Sequence, residues 1–513
     1  MIAPSPPQAL PDQGVTTQIL RELAPPLPTA APTRIAVVAC GLHIHFPWEP
    51  ACQRYEQVLD LLGSALPAEQ FEIVRADEPF EDPDALIRFL SRESEHELHG
   101  VLLFHAAYTA GEIGAYLGRW LTEQGLPLMS WSFPDPPAER LSANSLCCQN
   151  FLLNMLNRLD VRYAWLHEEV TDTLPEEIAR FCRVARARQR LRFGKALHVG
   201  GSRVIAFYDG ETDELSVIRQ FGLRFDRIDL QAAFDYSRKL DDRAIRSLLE
   251  SITRSSRCAV NDVPDEQAMQ TLRLGLAIAH MAAEGGYIGC TIKSWPELFN
   301  QYGCACDGSV SMLNDWGLCT TEEGEMNGLI SSLTMHLLSE GDAIPTMMDL
   351  SAVNPQANRI GIWHCGASPT RLLHAGHNFD LRKHSILENA DPETAVGMMV
   401  EFPLALGPAT LVRYQSPDAG RMFAFEGEMA DCTMPFRGVY GELIPKARAT
   451  ASQIMGTILS GGLDHHWSLG YGHWHEDLAM LNFFLGVQTL EVSKHHRLSG
   501  FGPAEAHTNG AAR

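Results

Sequence analysis

The chain has 513 residues, with 41 Lys and Arg against 63 Asp and Glu for a net charge of −22. It is too long for one core, and too acidic, without a sustained basic stripe, for nucleic acid or an anionic membrane to be its main partner. No apolar run is long enough to span a bilayer, and the N-terminus lacks a basic stretch followed by an apolar core, so a soluble cytoplasmic protein is expected.

Residues 1–33 are rich in Pro and Ala without periodicity and read as a flexible or surface-draped arm. A first α/β domain is expected over 34–168, where the apolar runs RIAVVAC and GVLLFHA flank a helix-like segment from Asp84 to Ser94. Strand, helix, strand implies a parallel sheet, and ligands bind beyond the carboxyl ends of such strands. His43, His45 and His105 lie at those ends, either as substrate contacts or as loop histidines bonded to backbone.

A second α/β domain is expected over 169–345. Thr173 and Glu176 form a capping-box pattern before a helix whose apolar face is Ile178, Phe181, Val184 and Leu191, while its arginines read as a solvated face or a subunit contact. The stretch GGSRVIAF lacks the third glycine of a dinucleotide fingerprint, which argues against such a cofactor. Lys293 and Trp295 follow an apolar run, as a sugar-hydroxyl donor and a sugar-face platform or as a surface Lys and a core Trp. From 346 to 497 the texture changes to short Gly- and Pro-punctuated runs, which read as a β-rich, barrel-like C-terminal domain closing with helices around a histidine-rich loop. Residues 498–513 read as a tail.

The richest stretch runs from Thr320 to Pro369. Glu323 opens a helix with the face Met326, Leu329, Ile330, Leu333 and Leu337, either as a metal ligand or as the third-position partner of a Thr320 cap. Asp349 ends an apolar run, His364 sits in WHCG, and His465 and His466 follow a Gly-Gly pair in SGGLDHHW. Taken singly, Asp349 reads equally as a turn residue and His364 as a packed histidine. Together, two carboxylates and one or two imidazoles suit Mn²⁺, Mg²⁺ or Co²⁺ better than structural zinc. His473 and His475 have Glu476 and Asp477 nearby and rank lower, and Cys319 and Cys365 are assigned to packing. The 12 cysteines show no CxxC pairing and read as free thiols.

The stretches KSWPELFNQYGCACDGSVSMLNDWGLCTTEEGEMNG, TMMDLSAVN, WHCGASP, EFPLALGPATLVRY and DHHWSLGYGHWHEDL, in this order, resemble the L-fucose and L-arabinose isomerase superfamily. The resemblance covers about residues 290 to 480. It implies two Rossmann-like α/β domains ahead of the β-rich one, and aldose–ketose isomerisation through a cis-enediol. It further implies one divalent ion, usually Mn²⁺, held by Glu323, Asp349 and His466, with Glu325 the rival to Glu323 and His465 the rival to His466. His364 matches a further site histidine, and Glu323 and Asp349 would serve as base and acid. A trimer or hexamer is implied, with His43 and His45 acting across an interface. The stretch MMDLSAVN departs from the family, leaving the sugar open, an anionic one included. Two other classes remain: a non-catalytic sugar-binding or sensor protein, and a metal-dependent sugar hydrolase or aldolase.

Overall fold

The computed structural model describes residues 14, 17–446 and 449–493, so the expected tail from 498 lies outside them. The chain divides into one unit comprising Thr29–Arg190 with Ala479–Leu485, and a second built on Leu191–Leu478 with the segments before Thr29 and after Leu485.

In the first unit, the β-branched run at the start of the expected domain forms β1 (Thr33–Cys40). It is joined by β2 (Phe71–Arg75), β3 (Gly100–His105), β4 (Leu128–Ser132) and β5 (Tyr163–His167). All pair in parallel in the order β2-β1-β3-β4-β5. Successive residues of β1 feed opposite faces, as a strand requires. Val37 and Ala39 pack with Tyr55 and Phe181, whereas Ala36, Val38 and Cys40 pack with Leu90, Leu117 and Leu152. The helix Glu176–Arg192 buries Ile178, Phe181, Val184 and Leu191 as its periodicity requires. Its arginine face is not simply solvated: Arg186 is buried, and its guanidinium donates to the Gln70 carbonyl at 3.1 Å.

The second unit begins with a correction to the arm: Thr17–Leu23 is helical, and Leu20 is fully buried in the unit's core. A four-stranded parallel sheet runs β10-β9-β6-β7. Its members are β6 (Lys195–Val199), β7 (Arg224–Ile228), β9 (Gly289–Ile292) and β10 (Cys319–Glu322). Between them, β8 (Cys258–Asn261) leaves to join a larger mixed sheet. That sheet is completed by β11 (Thr346–Asn354), β12 (Arg359–His364), β13 (Phe379–Lys383), β14 (Gly397–Pro403) and β15 (Gly407–Tyr414). Beyond them come β16 (Arg421–Ala430), β17 (Val439–Pro445), β18 (His466–Tyr471) and β19 (Gln488–Thr489).

Its order is β19-β16-β15-β18-β11-β12-β17-β14-β13-β8, with a further pairing of β16 to β17. That pairing closes β16, β15, β18, β11, β12 and β17 into a ring, which removes the open edges those strands would otherwise present. The parallel sheet and the ring share one core, with Val199 and Ile292 in the same cluster as Leu411, Trp467 and Leu469.

Closure depends on a glycine. Gly427 pairs with Ala409 on β15 and with Pro445 on β17, and a Cβ there would lie 2.2 Å from the Ile444 carbonyl oxygen. Backbone cannot yield as a flexible side chain would. Gly427→Ala is therefore expected to lower the unfolding free energy by about 1–3 kcal/mol, as overpacking does. A urea midpoint equal to the parent's would show that the ring tolerates a side chain there.

Candidate metal centre

Glu323 is held in place by backbone strain and by the bonds that maintain it. β10 ends at Glu322, and Glu323 and Gly324 both adopt left-handed φ values of 66° and 65° before the helix Met326–Leu338 begins. Such a conformation costs a non-glycine residue on the order of 1 kcal/mol or more. Here the Val204 amide donates to the Glu323 carbonyl at 2.9 Å, and the Gly324 amide donates to the Ile292 carbonyl at 2.9 Å. The expected Thr320–Glu323 cap is not formed. Thr320 pairs with Cys290 inside the parallel sheet, and its hydroxyl donates to the Leu318 carbonyl at 2.9 Å. The following helix is buried nearly all round rather than amphipathic.

Asp349 lies within β11, not in a turn, and His466 is not in a loop but heads β18. The two are direct register partners. The first acid thus comes from the end of a parallel sheet, and the second acid and the imidazole come from adjacent strands of the ring.

The three side chains converge on one atom. His466 Nε2 is 3.1 Å from Glu323 Oε2 and 3.6 Å from Asp349 Oδ1. On the other side of the ring, Nδ1 is 3.0 Å from Glu325 Oε2, so in the neutral imidazole Nδ1–H donates to Glu325 and Nε2 turns a lone pair toward the two carboxylates. Glu323 Oε2 is buried and makes no hydrogen bond. Lone pairs facing one another in a buried site require positive charge between them, supplied either by a second proton on the imidazole or by a cation. Burial opposes charging His466, but Glu325 and Glu323 outweigh it and push its pKa up. The donor set, two carboxylates and one oriented imidazole, fits a divalent ion of the Mn²⁺ or Mg²⁺ kind.

Glu325, the sequence rival to Glu323, stands behind the imidazole. It pairs with Arg413, which is fully buried and also binds Asp464 at 2.7 Å. Burial opposes ionising Glu325, yet Arg413 and His466 hold its carboxyl far below the usual range.

His364 closes another side. Its ring lies 5.7 Å from that of His466, and its donor atom falls with those of Glu323 and His466 in a group whose members lie within 4.8 Å of one another. Its Nδ1 is 2.8 Å from Glu322 Oε1. Burial opposes its charge, but Glu322 outweighs this and pushes the imidazole up to about 10. Asp307 is buried within 4.8 Å of the same Glu322, and desolvation first, then the Glu322 charge, drives its carboxyl well up. Cys365 falls within 4.8 Å of Asp307 and His364, closer to the cluster than a packing role implies, but burial keeps its thiol protonated. Cys319 is buried in β10, as expected of a packing residue.

His465 Nδ1 lies 2.5 Å from Asp209, its ring stays 3.7 Å from that of His466, and a donor atom of its imidazole lies within 4.8 Å of those of Asp349 and His466, so it borders the centre on the Asp349 side. Trp295 donates from Nε1 to Glu323 Oε1 at 3.4 Å, and Phe207 packs edge-on to both Trp295 and His466. Lys293 pairs with Glu297 at 2.6 Å and, with Arg203 and Arg227, lines a cavity of about 260 Å³ that reaches Gly324. His473 lies 3.6 Å from Glu426 and 3.9 Å from Glu428, acids of β16 rather than the Glu476 and Asp477 next to it in sequence. His43 and His45 belong to the first unit and are exposed, with His43 2.7 Å from Glu81. His105 is also in that unit but fully buried, which rules out the open substrate contact its position suggested. Asp307, Glu322, Asp209, Arg413 and Asp464 were not singled out from sequence. The available signal was Arg413 itself, a charge inside the apolar run PATLVRY, which demands a buried partner.

No family model matches the chain. Three curated relatives, each named sulfoquinovose isomerase, are similar. That of Alkalicoccus urumqiensis is 24% identical over 383 residues, covering 74% of this chain and 83% of the relative. Those of Priestia aryabhattai and Priestia megaterium are 24% identical over 408 residues, covering 78% of this chain and 87% of each relative. A solved arabinose-binding protein from Geobacillus stearothermophilus aligns over 60% of this chain and 88% of its own at 10% identity, with a TM-score of 0.15 that supports no structural conclusion. The chain is thus similar to sugar isomerases over about three quarters of its length.

Two outcomes test these networks. Arg413→Leu leaves Glu325 and Asp464 as uncompensated buried charges and is expected to cost about 3–5 kcal/mol in urea unfolding. A loss below about 1 kcal/mol would show that the acids simply take up protons. For His364, the folded value of about 10 lies above the ordinary 6.5, so its contribution to stability is full below 6.5 and is lost as pH rises through about 10. Metal-free parent protein should lose stability relative to His364→Gln as pH rises across that window. Parallel pH profiles would contradict the pairing.

Proposed function

We propose that this chain is a metal-dependent aldose–ketose isomerase that interconverts a sulfonated hexose of the sulfoquinovose type and its ketose through a cis-enediol. The observation that carries the reading is the convergence of Glu323 and Asp349 on the Nε2 of an imidazole whose other nitrogen is already committed to Glu325. The similarity to three sulfoquinovose isomerases supports the reaction class and the sugar. The finer assignment to the fucose and arabinose isomerase superfamily, with two Rossmann-like layers, rests on the motif order from KSWPELF to DHHW.

Glu323, Asp349 and His466 would hold the ion, Mn²⁺ in preference to Mg²⁺ or Co²⁺, and His364 stands next to them. When bound, a divalent ion supplies Lewis-acid polarisation of the open-chain sugar's carbonyl and adjacent hydroxyl. Glu323 and Asp349 move the proton between C1 and C2. Their settings differ: Glu323 is buried, and desolvation with Glu322 and Glu325 outweighs His466 and raises its carboxyl, while Asp349 is a third exposed. Trp295 steadies Glu323 through its indole N–H, and Phe207 and Trp295 offer apolar faces to the sugar. The cavity carrying Arg203, Arg227 and Lys293 suits the anionic sulfonate end.

The test is incubation of Mn²⁺-loaded protein with sulfoquinovose, fucose and arabinose in D₂O. Ketose formation and solvent deuterium at C2 are expected with the sulfonated sugar. Glu323→Gln and Asp349→Asn should each lower kcat by roughly 10²–10⁴-fold. Lys293→Ala should raise KM for the sulfonated sugar with kcat little changed, as lost ground-state binding does. Sugar binding indifferent to EDTA, without exchange, would establish the non-catalytic binding protein instead.

A further inference from the structure

The first unit holds a second cluster of metal-competent side chains. Cys40 and His105 are register partners at the carboxyl ends of β1 and β3, the point where the strand order β2-β1-β3-β4-β5 reverses direction. In open α/β sheets this is the place where ligands are held. Both side chains point to the face that packs against the helix Ser145–Arg158, and Cys148 in its first turn completes the group. All three residues are fully buried, and their donor atoms lie within 4.8 Å of one another. Cys40 Sγ is 3.7 Å from His105 Nδ1, and His105 Nε2 is 2.8 Å from the Ser130 hydroxyl, which itself accepts from Gln149 at 3.1 Å.

We propose that Cys40, His105 and Cys148 form a thiolate–imidazole site for one thiophilic ion of the Zn²⁺ type, separate from the carboxylate centre. A buried imidazole fixed through one nitrogen by a hydroxyl, with the other aimed at two sulfurs, is the arrangement by which outer partners orient a metal-bound histidine. Thiolates and imidazole select zinc over the oxygen-loving ions that suit Glu323 and Asp349. Loading releases a proton from each thiol to solvent as its Zn–S bond forms. Of the two thiols, Cys148 is the one favoured as thiolate, since Cys40 and His105 beside it lower its pKa against the cost of burial, while Cys40 is pushed well up by Cys148 and by burial. The ion would tie two strands and a helix together.

The full chain is purified with zinc or with Co²⁺ as the only added metal. X-ray absorption at the zinc edge should show sulfur scatterers in the first shell, and the cobalt form should show a thiolate-to-cobalt charge-transfer band. Cys148→Ser and Cys40→Ala should each abolish band and sulfur signal, and Glu323→Gln should keep both. Zinc bound only by oxygen and nitrogen in the unmodified chain would overturn the proposal, and that measurement needs no variant to fold. A charge-transfer band surviving in both cysteine variants would overturn it equally.

Discussion

The arrangement of the second unit depends on the imidazole of His466 being held between two kinds of carboxylate. Glu325 fixes it from behind through Nδ1, and Glu323 and Asp349 approach Nε2 from the front. Glu325 can play this part only because Arg413, buried inside the ring, neutralises it together with Asp464. Three acids around one histidine would otherwise be far too costly to bury. The buried cation thus sets the ionisation of the second layer, the second layer sets the tautomer of His466, and the tautomer aims a lone pair at the front.

Two sheets must meet for this to happen. The parallel sheet delivers Glu322 and Glu323 at the end of β10, and the ring delivers Asp349 and His466 on adjacent strands and His364 on the next. The shared core from Val199 to Trp467 locks the sheets together, so the ligand geometry is a property of rigid elements rather than of loops. The backbone at Glu323 is strained, and the turn it shares with Gly324 is pinned by Val204 and Ile292. Strain at a chemistry-bearing residue, maintained by surrounding hydrogen bonds, is the pattern expected of a site in which position matters more than local stability.

How far the sequence could be read follows from how local each signal was. The strands RIAVVAC and GVLLFHA and the helix at Asp84 to Ser94 were legible because apolar runs and periodicity are local. Glu323, Asp349, His364 and His466 could be singled out because each stands at a local break in the pattern, a helix start, the end of an apolar run, the WHCG turn and a Gly-Gly-introduced segment, and the structure brings them together. The Thr320 cap was misread: its TTEE pattern looks like a helix start, but pairing with β9 keeps it a strand. The helix Thr17–Leu23 was missed because a seven-residue element in a Pro-rich stretch is defined by what it packs against. Arg413, Asp464 and Asp307 were invisible for the same reason, since Arg413 meets Glu325 from 88 residues away in sequence. Buried ion networks are specified by tertiary contact, and no local pattern encodes them.

The resemblance in motif order and the similarity to sulfoquinovose isomerases bear on reaction class, while the geometry bears on which residues would carry it. The two meet in a single claim, that Glu323, Asp349 and His466 bind one ion while Glu325 does not. The most direct measurement is an anomalous difference map from crystals soaked in manganese. The account predicts one peak within bonding distance of Glu323, Asp349 and His466, with Glu325 bonded to the far side of the imidazole. A peak among Asp307, Glu322 and Cys365, or none in the second unit, would contradict it.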